Sequence, residues 1–294
     1  MVTAPLRAPG LTVSAAEATV EAGQPLEVTV RFAADRPTEV TGGQVELVRH
    51  GMVAHAERGW MGAGATVSLR RSAVLDRADV DPAGPLVAGQ HLVRSVTLAV
   101  PAGEASVDGY LVQQAYAVRA RLDVSHGRGA EAGTAVRVTS RAAERSWVAD
   151  TTAVVDDAGV AVLGIEDVTG RRLSGGVPLT GTVTVTPCRT GRARGVRVEL
   201  VLAEQVPARS PEMPLEEDRA ATTVVATAAV AGPLDLEPGA VLRLPFTLRP
   251  PLPLPAPSIS APEFTLRWLL RAVVDRPRRP DPTTTLELWA ATAP

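Results

Sequence analysis

Lysine and asparagine are absent from this chain of 294 residues. All 30 of its basic side chains are therefore arginines. Without lysine there is no G-x-x-x-x-G-K-[ST] loop, which excludes a P-loop nucleotide site. The bias, with abundant Ala, Val and Pro, is that of a GC-rich genome, so the arginine count is not a phosphate-binding signal. Cysteine is reduced to one residue, Cys188. A single thiol forms no intramolecular disulfide and no cysteine-based zinc site. Aromatic residues make up only 3% of the chain. The basic stretches Arg189–Arg197 and Arg276–Arg279 carry no interleaved aromatics, so base stacking on single-stranded nucleic acid is not expected. Net charge is −2, so no global field draws in polyanions or anionic membranes. Long apolar runs are also missing. The longest run of small apolar residues, Val224–Gly232, is about half of the ~20 residues a membrane helix needs. The first ten residues lack the apolar stretch of a signal peptide. The expectation is a soluble, cytoplasmic protein with no integral membrane segment and no nucleic-acid partner.

What is present is material for turns and strands. The chain has 25 glycines and 25 prolines, together 50 of 294 residues or 17%, against roughly 12% on average. Many turns and few long helices follow. Apolar residues reach 45%, enough for two cores. The length exceeds that of one ordinary β-sandwich and suits two domains of roughly 100–150 residues.

The hydrophobic pattern has period two from Leu11 onward. Leu26, Val28 and Val30 alternate with Glu27, Thr29 and Arg31, the pattern of a strand with one buried face. Val45 and Leu47 mark the next strand, Gly43–Val48. Residues 50–64 read as an irregular, glycine-dotted loop, and Thr66–Arg71 resumes the alternation. Asp76–Gly89 reads as an acidic loop. Strands are expected at Leu92–Val100 and Ala115–Val124, and a last run ends near Arg141. Residues 142–160 read as linker, with a helical turn or a strand equally compatible at Ala142–Ala149. Beyond it the second half opens with Val162–Ile165 and the run Leu173–Val185, followed by strand-like runs at Val196–Val201, Thr222–Val230, Leu242–Leu248, Phe264–Val274 and Thr284–Trp289. Cys188–Arg194 reads as a basic turn and 205–220 as a polar, Pro-broken loop.

The two halves repeat one another. Gly23, Pro25, Leu26 and Val30 match Gly176, Pro178, Leu179 and Val183 at an offset of 153. Gly42, Val45, Glu46, Leu47 and Val48 match Gly195, Val198, Glu199, Leu200 and Val201 at the same 153. Gly89, Leu92, Thr97, Leu98 and Pro101 match Gly239, Leu242, Thr247, Leu248 and Pro251 at 150. Arg119, Ala120 and Asp123 match Arg271, Ala272 and Asp275 at 152, with Tyr116 opposite Trp268. A near-constant offset across four separated strands predicts a duplicated domain. The fold class is all-β: two tandem antiparallel β-sandwiches of roughly seven strands each, over residues 1–145 and 161–294, with 146–160 as linker.

In each half an apolar strand, a crossing and a second strand follow one another. In the second half these are the Pro238-Gly239 turn, Leu242–Leu248, the proline-and-serine crossing Pro250–Ser260, and Phe264–Val274. In the first half the last strand is Tyr116–Leu122. This succession resembles the arrestin-like superfamily, and among bacterial members its sporulation-control branch. The resemblance covers residues 11–141 and 160–290. It implies a non-enzymatic adaptor or scaffold that binds protein partners, with a regulatory role in sporulation or in cell-envelope or development control. Receptor binding does not carry over, and no polar-core residues are assigned. Pro250–Pro253 is not a PPxY motif.

No catalytic, cofactor or metal residue is expected. His50 and His55, with Glu57 nearby, stand five apart, which in a strand points them to opposite faces. His91 and His126 are isolated. Asp76, Asp79 and Asp81 give D-x-x-D-x-D without the Gly and distal Glu of an EF-hand, so a solvated acidic loop is the reading. No serine sits in a G-x-S-x-G elbow. Cys188 has no partnering His in sequence and reads as an incidental thiol. The segment Arg249–Pro257 contains P-x-x-P, but a crossing between buried strands wants pre-set backbone without spare N–H groups, and Pro supplies it. Partners would meet sheet edges, an inter-domain groove, or the loops 50–64, 76–90 and 205–220. Two other readings stay open: a ligand-binding or hydrolytic β-sandwich, and a structural subunit of an assembly.

Overall fold

The computed structural model describes residues 10–58, 64–125, 129–140, 154–155, 161–208 and 216–292. No helix occurs among them. The first half runs β1 (Leu11–Ala15), β2 (Thr19–Glu21), β3 (Pro25–Ala33), β4 (Thr38–Arg58), β5 (Gly64–Val80), β6 (Gly84–Leu86), β7 (His91–Ala99), β8 (Val107–Asp108), β9 (Val112–Val124) and β10 (Ala130–Thr139). The second half runs β11 (Val154–Val155), β12 (Ala161–Glu166), β13 (Arg172–Leu173), β14 (Leu179–Pro187), β15 (Gly191–Ala193), β16 (Gly195–Val206), β17 (Glu216–Glu217), β18 (Arg219–Ala231), β19 (Leu234–Leu236), β20 (Leu242–Leu248), β21 (Ile259–Ser260), β22 (Thr265–Asp275) and β23 (Thr283–Ala290).

Each half is a sandwich, and the duplication is visible in strand order. One sheet of the first half is β1-β3-β7, and its counterpart is β12-β14-β20 with β11 added outside β12. The second sheet runs β5-β4-β9-β10-β2 in one half and β18-β16-β22-β23-β13 in the other. The short strands β8 and β21 hang on β9 and β22 alike. Among the described residues each half has seven strands of five residues or more, as the alternation predicted. Within β3 the buried residues are Leu26, Val28, Val30 and Phe32, every second position. They meet Val45, Leu47, Tyr116 and Val118 of the facing sheet in one core. Leu163, Val183, Phe246, Val198, Leu200, Trp268 and Leu286 build the other. Two glycine pairs of the repeat hold turns that require left-handed backbone: Gly23 and Gly176 at φ 84° and 75°, Gly89 and Gly239 at φ 85° and 83°.

Tyr116 and Trp268, opposite one another in the repeat, do the same work. Trp268 Nε1–H donates to the Ala256 carbonyl at 3.1 Å. The Tyr116 hydroxyl accepts from the Ala105 N–H at 3.1 Å and donates to Glu104 Oε2 at 2.5 Å. Burial, reinforced by Glu104, pushes this phenol far above its ordinary range, so it stays a neutral donor. A serine completes each crossing. Ser106 N–H donates to Val138 O at 2.8 Å and its hydroxyl accepts from Val138 N at 2.9 Å. Ser258 makes both bonds to Ala290, each at 3.0 Å. The proline segment is thus a packed crossing: Pro250, Leu254, Ala256 and Pro257 are buried.

Several loop expectations are corrected. Residues 50–58 continue β4, and 64–80 form β5, so the two make one long hairpin. Asp76 and Asp79 lie in β5, not in a loop. Residues 191–193 are strand β15 within the basic turn. Of 205–220, Gln205 and Val206 end β16, 216–217 form β17, and Arg219 begins β18, while 209–215 lie outside the described residues. The expected turn or strand at 142–149 also falls outside them.

Candidate functional site

One buried carboxylate, that of Glu204, lies where the two halves meet. On β16 the residues Val196, Val198, Leu200, Leu202 and Val206 face the core, and Glu204 has the same parity. Glu204 is 1% exposed. Its carboxylate crosses to the first half and accepts three backbone N–H groups, from Tyr110 at 2.6 Å, Leu111 at 2.9 Å and Val112 at 3.0 Å. The turn before β9 presents these donors in succession, as in other backbone anion cradles. Gly109 precedes them, and a Cβ there would stand 2.5 Å from Glu204 Oε2. Only glycine lets the carboxylate come this close.

Further bonds run the same way, from donors in the first half to acceptors in the second. The Asp108 N–H donates to Pro255 O at 2.9 Å, and Arg137 Nη2 donates to Leu254 O at 2.7 Å. The Ser140 N–H donates to Thr292 Oγ1 at 3.1 Å. The proline crossing therefore serves the joint with carbonyls. Its prolines have no N–H that would need a partner there. Apolar contact seals the joint: Ala54, Val107, Leu111 and Val112 of the first half belong to the core of the second. The far end of β4 is clasped by β17, with Glu216 opposite Glu57 and Glu217 opposite Ala56.

A second polar device lies on the outer face of each large sheet, and it too is duplicated. Glu46 pairs with Arg119 at 3.3 Å and with Arg77 at 2.7 Å. Glu199 pairs with Arg271 at 2.6 Å and with Arg197 at 2.7 Å. The cross-strand position facing Glu199 on β18 is Thr227, so the second arginine comes from β16 itself. In the first half that position on β5 is Arg77. A depression of about 180 Å³ over Glu46 is lined by Gln44, Arg119, Arg121 and Glu131, of which Arg119 already pairs with Glu46. Burial alone would raise the Glu199 carboxyl, but hydrogen bonds and charge from Arg197 and Arg271 outweigh it and hold the group below its ordinary value. A lowered folded pKa adds stability that is complete above the unfolded value of about 4.3 and is lost as pH falls through the folded value. Glu199→Gln should therefore destabilise the protein at pH 7, with the gap to wild type closing below about pH 4. Urea unfolding at pH 7 and pH 3 measures it. An equal gap at both pH values would contradict the expectation.

The residues weighed from sequence do not converge. His50 and His55 lie on β4, where Nδ1 of His50 is 2.9 Å from Ser72 Oγ. His91 is exposed at the start of β7, and His126 is outside the described residues. Asp76 Oδ2 accepts the Ala99 N–H, and Asp79 Oδ1 accepts from Gln44 Nε2 at 3.3 Å, so the two acids serve different neighbours. Cys188 is exposed. Among the described residues no group of three or more His, Cys, Asp or Glu is placed to hold a metal ion. The joint residues Glu204, Gly109 and Arg137 were missed from sequence. One signal was there: a glutamate at a buried-face position of an alternating apolar strand. Among the described residues no helix is long and apolar enough to cross a membrane.

No family model and no curated protein matches the chain. Among solved structures, the chain is similar to the sporulation control protein Spo0M from Bacillus subtilis, at 18% identity and a TM-score of 0.35. The matched part covers 45% of this chain and 49% of that one, about half of its length.

Proposed function

We propose that this chain is a non-enzymatic scaffold of the arrestin-like type, in which two β-sandwiches, 1–145 and 161–294 joined by 146–160, are presented to a protein partner as one frame. The observation that supports this most is the joint. A buried carboxylate tied to three backbone amides, with carbonyl acceptors beside it, fixes one sandwich against the other. The buried acids of the second half, Glu199 and Glu204, are both engaged in holding backbone or arginine partners. That use of charge suits a frame that displays surface. A cytoplasmic location and a regulatory role in sporulation or development are the finer parts of the reading. They rest on the strand–crossing–strand resemblance in the sequence.

The test is affinity capture from the native cell, with the wild-type chain and with Glu204→Gln and Glu204→Ala. The expected result is a reproducible partner that is lost or weakened at least about tenfold when the joint is loosened and both halves stay folded. No reproducible partner would sink the scaffold reading. A partner held equally by the loosened variants would show that the fixed frame is not what is recognised.

A further inference from the structure

Among the described residues, four strands longer than five residues pair on one side only: β5, β7, β18 and β20. An open edge is a template for any passing strand, and proteins guard such edges with charges, prolines or bulges. Three of the four are guarded. β5 carries Arg70, Arg71, Asp76, Arg77 and Asp79. β7 carries His91 and Arg94, and β20 carries Arg243 and Pro245. β18 is the exception in charge and proline, with only bulges to interrupt it. After Arg219 it runs from Ala220 to Ala231 in Ala, Thr and Val alone. Thr222, Thr223, Val224 and Thr227 are exposed along it, Val224 by 46%.

The duplication supplies an internal control. β5 and β18 occupy the same place in the two halves, and both bulge at the same point. The registers pass over Leu75 in β5 and Val225 in β18. The bulge therefore belongs to the shared architecture. What differs is charge: one edge is guarded and the other is bare. β18 passes over a second residue, Val230, which leaves Arg219–Val224 as its longest straight run.

We propose that β18 is the surface through which two copies of this chain associate, by two-fold antiparallel pairing of the Arg219–Val224 run about Thr222. Two features select a second copy as the occupant. First, a two-fold pairing must suit its own reverse. Centred on Thr222 it sets Ala220 against Val224, Ala221 against Thr223, and Thr222 against its symmetry mate. No like charges face one another, and Thr–Thr is a favourable cross-strand pair. Second, an isologous contact covers the bare edge of both copies at once and then closes, leaving no edge to recruit more chain. The sheet β13-β23-β22-β16-β18 then continues from one copy into the next, a mode of recognition in which main-chain hydrogen bonds give the affinity. The inference goes beyond the scaffold reading and does not depend on it.

The test uses the purified full-length chain in sedimentation velocity and multi-angle light scattering over a range of concentrations. Wild type should dimerise. Val224→Arg and Thr222→Lys should each weaken the dimer about tenfold or more, because Thr222→Lys sets two cations opposite one another. Both positions are exposed, so the far-UV spectrum of the monomer should not change. As an independent check, Thr222→Cys in a Cys188→Ala background should form a disulfide-linked dimer under mild oxidation, and Thr227→Cys should not. A wild-type chain that stays monomeric throughout would overturn the proposal and leave the edge to a strand from another protein. So would a dimer indifferent to Val224→Arg, or cross-linking at 227 in place of 222.

Discussion

Replacing Glu204 with alanine should cost roughly 3 kcal/mol or more in unfolding free energy. The loss does not come from a missing contact alone. Leu111 and Val112 are buried at 0% and 1% exposure, and their N–H groups have Glu204 as acceptor. Without the carboxylate those donors stay buried and unsatisfied, at about 1–3 kcal/mol each. Glu204→Gln should be milder, because one amide oxygen still accepts while the new NH₂ faces backbone donors. Gly109→Ala tests the same contact from the other side. Its Cβ would stand 2.5 Å from Oε2 and 2.8 Å from the Val112 carbonyl, so carboxylate or turn must shift. Hydrogen exchange is the direct readout. Amides 110–112 should lose protection in Glu204→Ala, while amides deep in β9, such as Val118, keep theirs. Unchanged exchange at 110–112 would mean that water replaces the carboxylate and that the joint is held by its apolar contacts.

The sheets were legible in sequence wherever a strand alternates against its own core. β3, β7, β9, β22 and β23 do so, and their positions follow from period two alone. The turn glycines were legible because Gly23, Gly89 and their repeats sit at positive φ, where other residues are strained. Two kinds of feature were not legible. The first is strand that outruns its core. β4 continues to Arg58, but Val53 and Ala54 pack on the core of the other half. The alternation there refers to a surface far away in sequence, so it looked irregular. In β5 the sequence pattern stops at Arg71 for a related reason: Asp76 and Asp79 have the character of loop acids, yet they lie on an edge strand. The second kind is the joint. Apart from Glu204 and the Arg137 guanidinium, it is built from backbone donors of 108–112 and backbone carbonyls of 254–255, and main-chain groups leave no trace in residue type. Only Glu204 betrays it, by standing in an apolar register.

Trp268→Ala should cost about 3–5 kcal/mol, the range for emptying a fully buried large aromatic site. Trp268 is 0% exposed and is the largest fully buried side chain among the described residues. Two terms add. The cavity removes contacts in the core of the second half, and the Ala256 carbonyl loses the indole N–H that anchors the crossing. Trp268→Phe shrinks the cavity term, since one ring still fills part of the site, and removes the donor entirely; a smaller loss than in Trp268→Ala is expected. Tyr116→Phe is the matched change in the first half. It leaves the buried Ala105 N–H without its acceptor, whereas Glu104 keeps Arg49 at 2.9 Å, so a loss of about 1–2 kcal/mol follows. The pair also reports on the joint. The two aromatics sit in different cores, so their effects should add if the halves unfold as one unit. Where the joint holds, both variants shift a single urea transition. Where Glu204→Ala has loosened it, Trp268→Ala should move only the transition of the second half and split the curve in two. A curve that stays single in the Glu204→Ala, Trp268→Ala double variant would show that coupling passes through Ala54, Leu111 and Val112 instead of through the carboxylate.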